Sequence, residues 1–145
     1  MNKSPLITDV KVIGKMRLGI SWNTGEVLAV DLTETVKQVK AFELLANSAF
    51  FSKVQVEEWG HGLDWPDGLD IGADRLYDLC RKQAGLLSPD VFDEWIKKNQ
   101  LSLSTAADAL GMTRRMIAHY RSGSRPIPKT IQLACIGYEA LKKAA

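Results

Sequence analysis

Leu103-Ser-Thr-Ala-Ala-Asp-Ala-Leu-Gly-Met-Thr-Arg-Arg-Met-Ile-Ala-His-Tyr-Arg-Ser-Gly123 decides how this chain is read. Ala107 is small enough for two helices to touch there. Gly111 follows four residues later, where the chain must turn sharply and a Cβ is expected to clash. Ile117 and Tyr120 come next at helical spacing, set to face one core, and Met112 closes the turn with an apolar side chain. The pattern predicts two short helices joined by a tight turn. Thr113, Arg114, Arg115, Ala118 and His119 fall between the packing positions and are expected to point away from the core.

The flank sharpens the reading. An ordinary helical hairpin inside a bundle also satisfies an Ala–Gly–Ile spacing. Here, however, Arg121-Ser-Gly-Ser-Arg-Pro-Ile-Pro128 follows at once. Gly123 reads as a helix C-cap, and Pro126 and Pro128 block the helix before Ile131 to Leu141 restart it. Asp90 to Lys98 supplies a helix in front. From Leu101 to Leu141 the stretch resembles the Cro and phage-repressor family of DNA-binding domains. The resemblance implies an all-helical, repressor-like helix-turn-helix domain of about five helices, with its second motif helix in the major groove of double-stranded DNA. By position it implies base contacts for Thr113, Arg114, Arg115 and His119, with Ala118 on the same outward side. Thr113 is also expected to cap that helix and touch the DNA backbone. Arg121, Arg125 and Lys129 lie beyond it and are expected to grip phosphate, as are Ser102 or Ser104 from the first helix. Two positions depart from the family pattern. Leu103 stands where a polar residue, often Gln, is common, and Arg121 stands where Glu is common.

Charge supports this division of the chain. The net charge is only +2. Residues 1–87 hold ten Lys/Arg against twelve Asp/Glu, whereas residues 101–145 hold seven against two, a net of +5. Positive charge therefore collects on the segment that carries the motif, as a phosphate-binding face requires. A hydrophobic content of 46% with 25% charged residues is that of a folded globular chain. No apolar run is long enough for a membrane span, and the N-terminus lacks the apolar stretch of a signal peptide, so a cytoplasmic protein is expected. Cys80 and Cys135 lie on apolar helix faces and read as buried thiols, neither bridged nor metal-bound.

The first half has a different period. Residues 6–32 read as three strands, with Met16, Leu18, Ile20 and Trp22 alternating against polar neighbours and a turn at Asn23-Thr24-Gly25. A helix capped by Thr33 is expected through Val36, Val39, Phe42 and Leu45. Val54 and Val56 begin a strand that pairs back through Leu63 to Trp65, and Asp70 to Asp74 lead into a helix. Ala84-Gly-Leu-Leu-Ser-Pro89 reads as a linker. The fold class is thus α+β: a small antiparallel domain with helices over 1–86, then the all-α domain over 87–145. Phe51-Ser-Lys-Val-Gln-Val56 and Trp65-Pro-Asp-Gly-Leu-Asp-Ile-Gly-Ala-Asp-Arg-Leu-Tyr77 resemble the bacterial family called domain of unknown function 2442. That resemblance implies a protein-binding or assembly role, in a setting like a toxin–antitoxin pair with a small partner protein.

Catalytic chemistry has little support. No nucleophile–His–acid set, phosphate-binding glycine loop or Cys/His ligand spacing is present, so neither an enzyme nor a cofactor is expected. His61, Asp64, Asp67, Asp70 and Asp74 form an acidic cluster that could wrap a hard cation, but Asp67 and Asp74 have turn and helix-start explanations. The four tryptophans fall in different elements and read as core or interface. The expectation is a sequence-specific, autoregulatory repressor or antitoxin-like regulator acting as a homodimer through the N-terminal domain. The alternative is a protein-interaction adaptor whose helical domain no longer binds DNA.

Overall fold

The computed structural model describes residues 5–145; the first four, read above as the start of the N-terminal domain, lie outside it. The chain divides into two compact units, one ending at Ala84 and one beginning at Gly85. The first is α+β and the second is helical.

In the first unit β1 (Ile7–Gly14), β2 (Arg17–Trp22) and β3 (Val27–Asp31) form an antiparallel sheet in that order. Leu18, Ile20 and Trp22 point to one face and are buried with Val30 and Leu32, as the alternation requires. Met16 is not part of the strand. It occupies the β1–β2 turn at φ 54°, because two strands this close must reverse there. The expected single helix after Leu32 is broken. α1 (Thr33–Gln38) ends at the extended Val39, a 3-10 turn covers Lys40–Ala46, and α2 (Ser48–Phe51) follows. The start of α1 is held by Asp31, which accepts the Thr33 amide at 2.9 Å and hydroxyl at 2.6 Å, so Thr33 is not the cap.

A second antiparallel sheet holds β4 (Gln55–Val56), β5 (Gly62–Asp64) and β6 (Asp70–Gly72). β6 occupies residues read as a lead-in to a helix; three residues are too few to show a period, and pairing with β5 decides their form. α3 (Ala73–Gln83) packs Leu76 and Cys80 into the shared core with Leu63 and Ile71.

The second unit has four helices where about five were expected: α4 (Pro89–Lys98), α5 (Leu103–Leu110), α6 (Arg114–Ser122) and α7 (Lys129–Ala144). The residues between Gly123 and Pro128 make no helix, since two prolines remove the donors it would need. Ser88 caps α4 by accepting the Val91 amide, with Pro89 at the first helical position. Phe92, Ile96, Ala106, Ala107, Ile117, Tyr120, Ile127 and Cys135 form the core. Among the described residues no helix is long and apolar enough to cross a membrane.

Candidate nucleic-acid interface

The candidate surface comprises α5, α6 and the turn between them. Ser102 and Thr105 cap α5 reciprocally: the Ser102 hydroxyl accepts the Thr105 amide at 3.1 Å, and Thr105 Oγ1 accepts the Ser102 amide at 2.7 Å. At the other end Gly111 sits at φ 68°, and the Met112 amide reaches back to the Ala107 carbonyl at 2.9 Å. A Cβ at Gly111 would meet nothing within 4 Å. The glycine is required by its backbone angle and not by the clash expected from the turn. Thr113 caps α6 by accepting the Met116 amide at 3.2 Å. Gly123 ends α6 at φ 79°.

Ala107 and Ile117 are buried, and the side chains that fall between the packing positions are exposed except that of His119. Ser104, Thr113, Arg114, Arg115, Ala118, Arg121, Arg125 and Lys129 are all exposed. Arg114, Arg115 and Lys129 make no ion pair among the described residues. The two arginines stand in the first turn of α6, which carries no acidic residue. The helix dipole is positive there, so two guanidiniums in that turn destabilise the helix by a few tenths of a kcal/mol each.

His119, expected to face outward, is instead half-buried. Its Nδ1 lies 2.6 Å from Ser124 Oγ and its Nε2 is sealed from solvent without a partner. The ring is drawn to the C-terminal cap of α6, where Ser124 Oγ and its amide also reach the His119 carbonyl. Arg121 also has a partner that sequence reasoning missed. Its Nε donates to Asp93 Oδ1 of α4 at 2.9 Å, and Nη2 lies 2.8 Å from the same oxygen. Lys97 holds Asp93 Oδ2 at 2.9 Å. Hydrogen bonds from Lys97 and then Arg121 keep the Asp93 carboxyl below the usual carboxylate range. The Asp93–Lys97 spacing is a local signal; nothing local announces a partner 28 residues away. Arg125 Nη1 rests 3.8 Å from Met116 Sδ. Leu103, the departure at the start of α5, is half-buried against the helical core, and Ser104 beside it is exposed.

The acidic cluster of the first unit is arranged differently from its sequence reading. Asp64 and Asp70 are cross-strand partners on β5 and β6, and Glu57 lies near both. Partial burial, then Asp70 and Asp64, raise the Glu57 carboxyl above its usual range. Among the described residues no three His, Cys, Asp or Glu side chains are grouped to hold a metal ion. Trp59, between Glu58 and Gly60, is 77% exposed at φ 64°.

The chain belongs to a family described as protein of unknown function, DUF2442, whose model matches residues 7–82. It is also similar to a solved structure from Nitrosomonas europaea, described as a "putative DNA binding protein". The two are 39% identical, the match covers 97% of this chain and 91% of that one, and the TM-score is 0.61. The likeness therefore runs through both units. No curated protein matches the chain.

Proposed function

We propose that this protein is a sequence-specific DNA-binding regulator of transcription, an autoregulatory repressor or antitoxin-like protein that acts in the cytoplasm without catalysis. The observation that carries the reading is the first turn of α6, where Arg114 and Arg115 are exposed, unpaired and set against the helix dipole. A phosphate or base edge at that turn would relieve the conflict. The description of the Nitrosomonas europaea protein supports the same reading.

In this account α5 and α6 act as a helix-turn-helix of the Cro type. Arg114 and Arg115 read base edges, the small Ala118 lets α6 approach the groove floor, and Thr113, Ser104, Arg125 and Lys129 hold the backbone. One unit of this size spans few base pairs. A homodimer on two half-sites roughly 34–36 Å apart gives the needed specificity. The N-terminal unit, with exposed Trp59, is assigned to protein contact, with its twin or with a small toxin-like partner.

Selection by the purified protein from a pool of random duplexes tests the reading. The expected result is one enriched, two-fold-related sequence, bound with an affinity that falls steeply with salt. Equal, weak binding to every duplex would remove the reading and leave the adaptor.

A further inference from the structure

We propose that Arg121 is a third base-reading arginine, beside Arg114 and Arg115, and that Asp93 of α4 is the positioning residue that holds it ready. The inference rests on the DNA-binding reading above and moves Arg121 from the phosphate role its position suggests.

Arg114, Ala118 and Arg121 are spaced i, i+4, i+7 and so share one face of α6. Seven residues of helix rise about 10.5 Å, close to three base-pair steps of about 3.4 Å each. Ala118 between the two arginines is small, and around it lies an open hollow of about 380 Å³ lined by Asp90, Asp93, Leu103, Ala118, Arg121 and Ser122. Two guanidiniums on this face can therefore address two base pairs without an obstacle between them.

The orientation of Arg121 narrows what it can read. Its Nε and Nη2 are turned to Asp93, whose second oxygen is fixed by Lys97. The Nη1 edge is left for another acceptor, on a side chain 36% exposed. Holding the fork in one rotamer lowers the entropy lost when it meets a paired acceptor. The paired acceptors of DNA are guanine O6 and N7, or two oxygens of a phosphate. A phosphate brought to Arg121 would also approach the Asp93 carboxylate and be repelled by it. A guanine edge carries no net charge, only the partial charges of its O6 and N7 acceptors, and is repelled far less. The pair thus favours guanine.

The test uses the duplex that the wild-type protein selects and its single-base variants. Asp93→Ala and Arg121→Ala are each expected to lose about tenfold in preference for one guanine. That guanine should lie three base pairs from the one lost in Arg114→Ala. The double variant should lose no more than either single change. Charge alone makes the opposite forecast for Asp93→Ala, since deleting a carboxylate tightens binding to every duplex equally. Retained preference in Asp93→Ala, with the Arg114→Ala loss intact, would overturn this inference and leave the DNA-binding reading standing. No selected duplex at all would overturn both. Asp93→Leu, nearly isosteric but with no acceptor oxygen for Arg121, gives the same reading if Asp93→Ala does not fold, once its melting curve confirms that it is folded.

Discussion

Glu26 and Arg81, 55 residues apart, meet at 2.5 Å between Oε2 and Nη1, with Arg81 side-chain exposure of 9% and Glu26 of 18%. The second carboxylate oxygen accepts the Tyr77 hydroxyl, also at 2.5 Å. The pair ties the β2–β3 turn to α3 across the N-terminal unit. Removing one partner strands the other charge in a site with little water. Arg81→Leu is expected to destabilise the protein by about 3 kcal/mol. The double change Glu26→Leu/Arg81→Met should recover most of that. Urea unfolding of the three proteins measures it, and a double variant as weak as the single one would contradict the account.

Gly60 and Gly111 both have positive φ, at 75° and 68°, yet should not tolerate alanine equally. A Cβ on Gly60 would fall 2.3 Å from the Ile7 carbonyl oxygen, whereas one on Gly111 has open space. Gly111→Ala should cost about 1–2 kcal/mol, the strain of the left-handed backbone alone. Gly60→Ala must displace β1 as well and should cost clearly more. Equal losses in thermal melts would show that β1 yields freely.

Arg114 and Arg115 should show stability and binding moving in opposite directions. Replacing either with alanine removes an unfavourable helix-dipole interaction, so the fold gains roughly 0.3 kcal/mol. Affinity for the selected duplex should fall by about 1–3 kcal/mol, and the preference at the base pair that the lost arginine reads should relax. A drop in stability together with binding would mark both residues as structural.

Glu57 and Asp31 should leave opposite signatures on the pH dependence of stability. Glu57 is held above the usual carboxylate range by partial burial, Asp70 and Asp64. Its favourable contribution is therefore present below its unfolded value and lost as pH rises through its folded value. Glu57→Gln should be more stable than wild type at neutral pH, with the gain vanishing in acid. Asp31 is held low by the Thr33 hydroxyl and amide. Its contribution is present above its unfolded value and lost as pH falls through its folded value. Asp31→Asn should thus be the weaker protein at neutral pH. Urea midpoints across pH 3–7 would show the two differences, and curves parallel to wild type would count against both.

Burial pushes the Cys80 thiol up to about 12, with help from Glu26, and the Cys135 thiol to about 11, with help from Glu139. Both side chains are buried. Neither should react with a thiol reagent at pH 8 in the folded protein, and both should react within seconds to minutes once urea unfolds it. Rapid labelling of the native chain would contradict the packing of α3 or α7.

Much of the second unit was legible from local rules. Ser88, Thr113 and Gly123 act through hydrogen bonds to residues within about five positions, so their caps follow from neighbours alone. The strand alternation of Leu18, Ile20 and Trp22 is equally local, because the pleat forces it. Arg114 and Arg115 were visible as exposed cations for the same reason: the helical period that buries Ile117 leaves them outside. The broken helix after Leu32 was less legible, since Phe42 and Leu45 keep an apolar spacing that a 3-10 turn satisfies as well as an α-helix.

What tertiary structure alone decided are the pairings made across long loops. β6 exists because β5 lies beside it, Gly60 is confined by Ile7, and Arg81 finds Glu26. In the candidate interface, His119 turns to Ser124 and Arg121 to Asp93. A side chain's period states which way it leaves its helix. It does not state which polar group waits there, because that depends on how distant segments share one limited volume while satisfying their own hydrogen bonds.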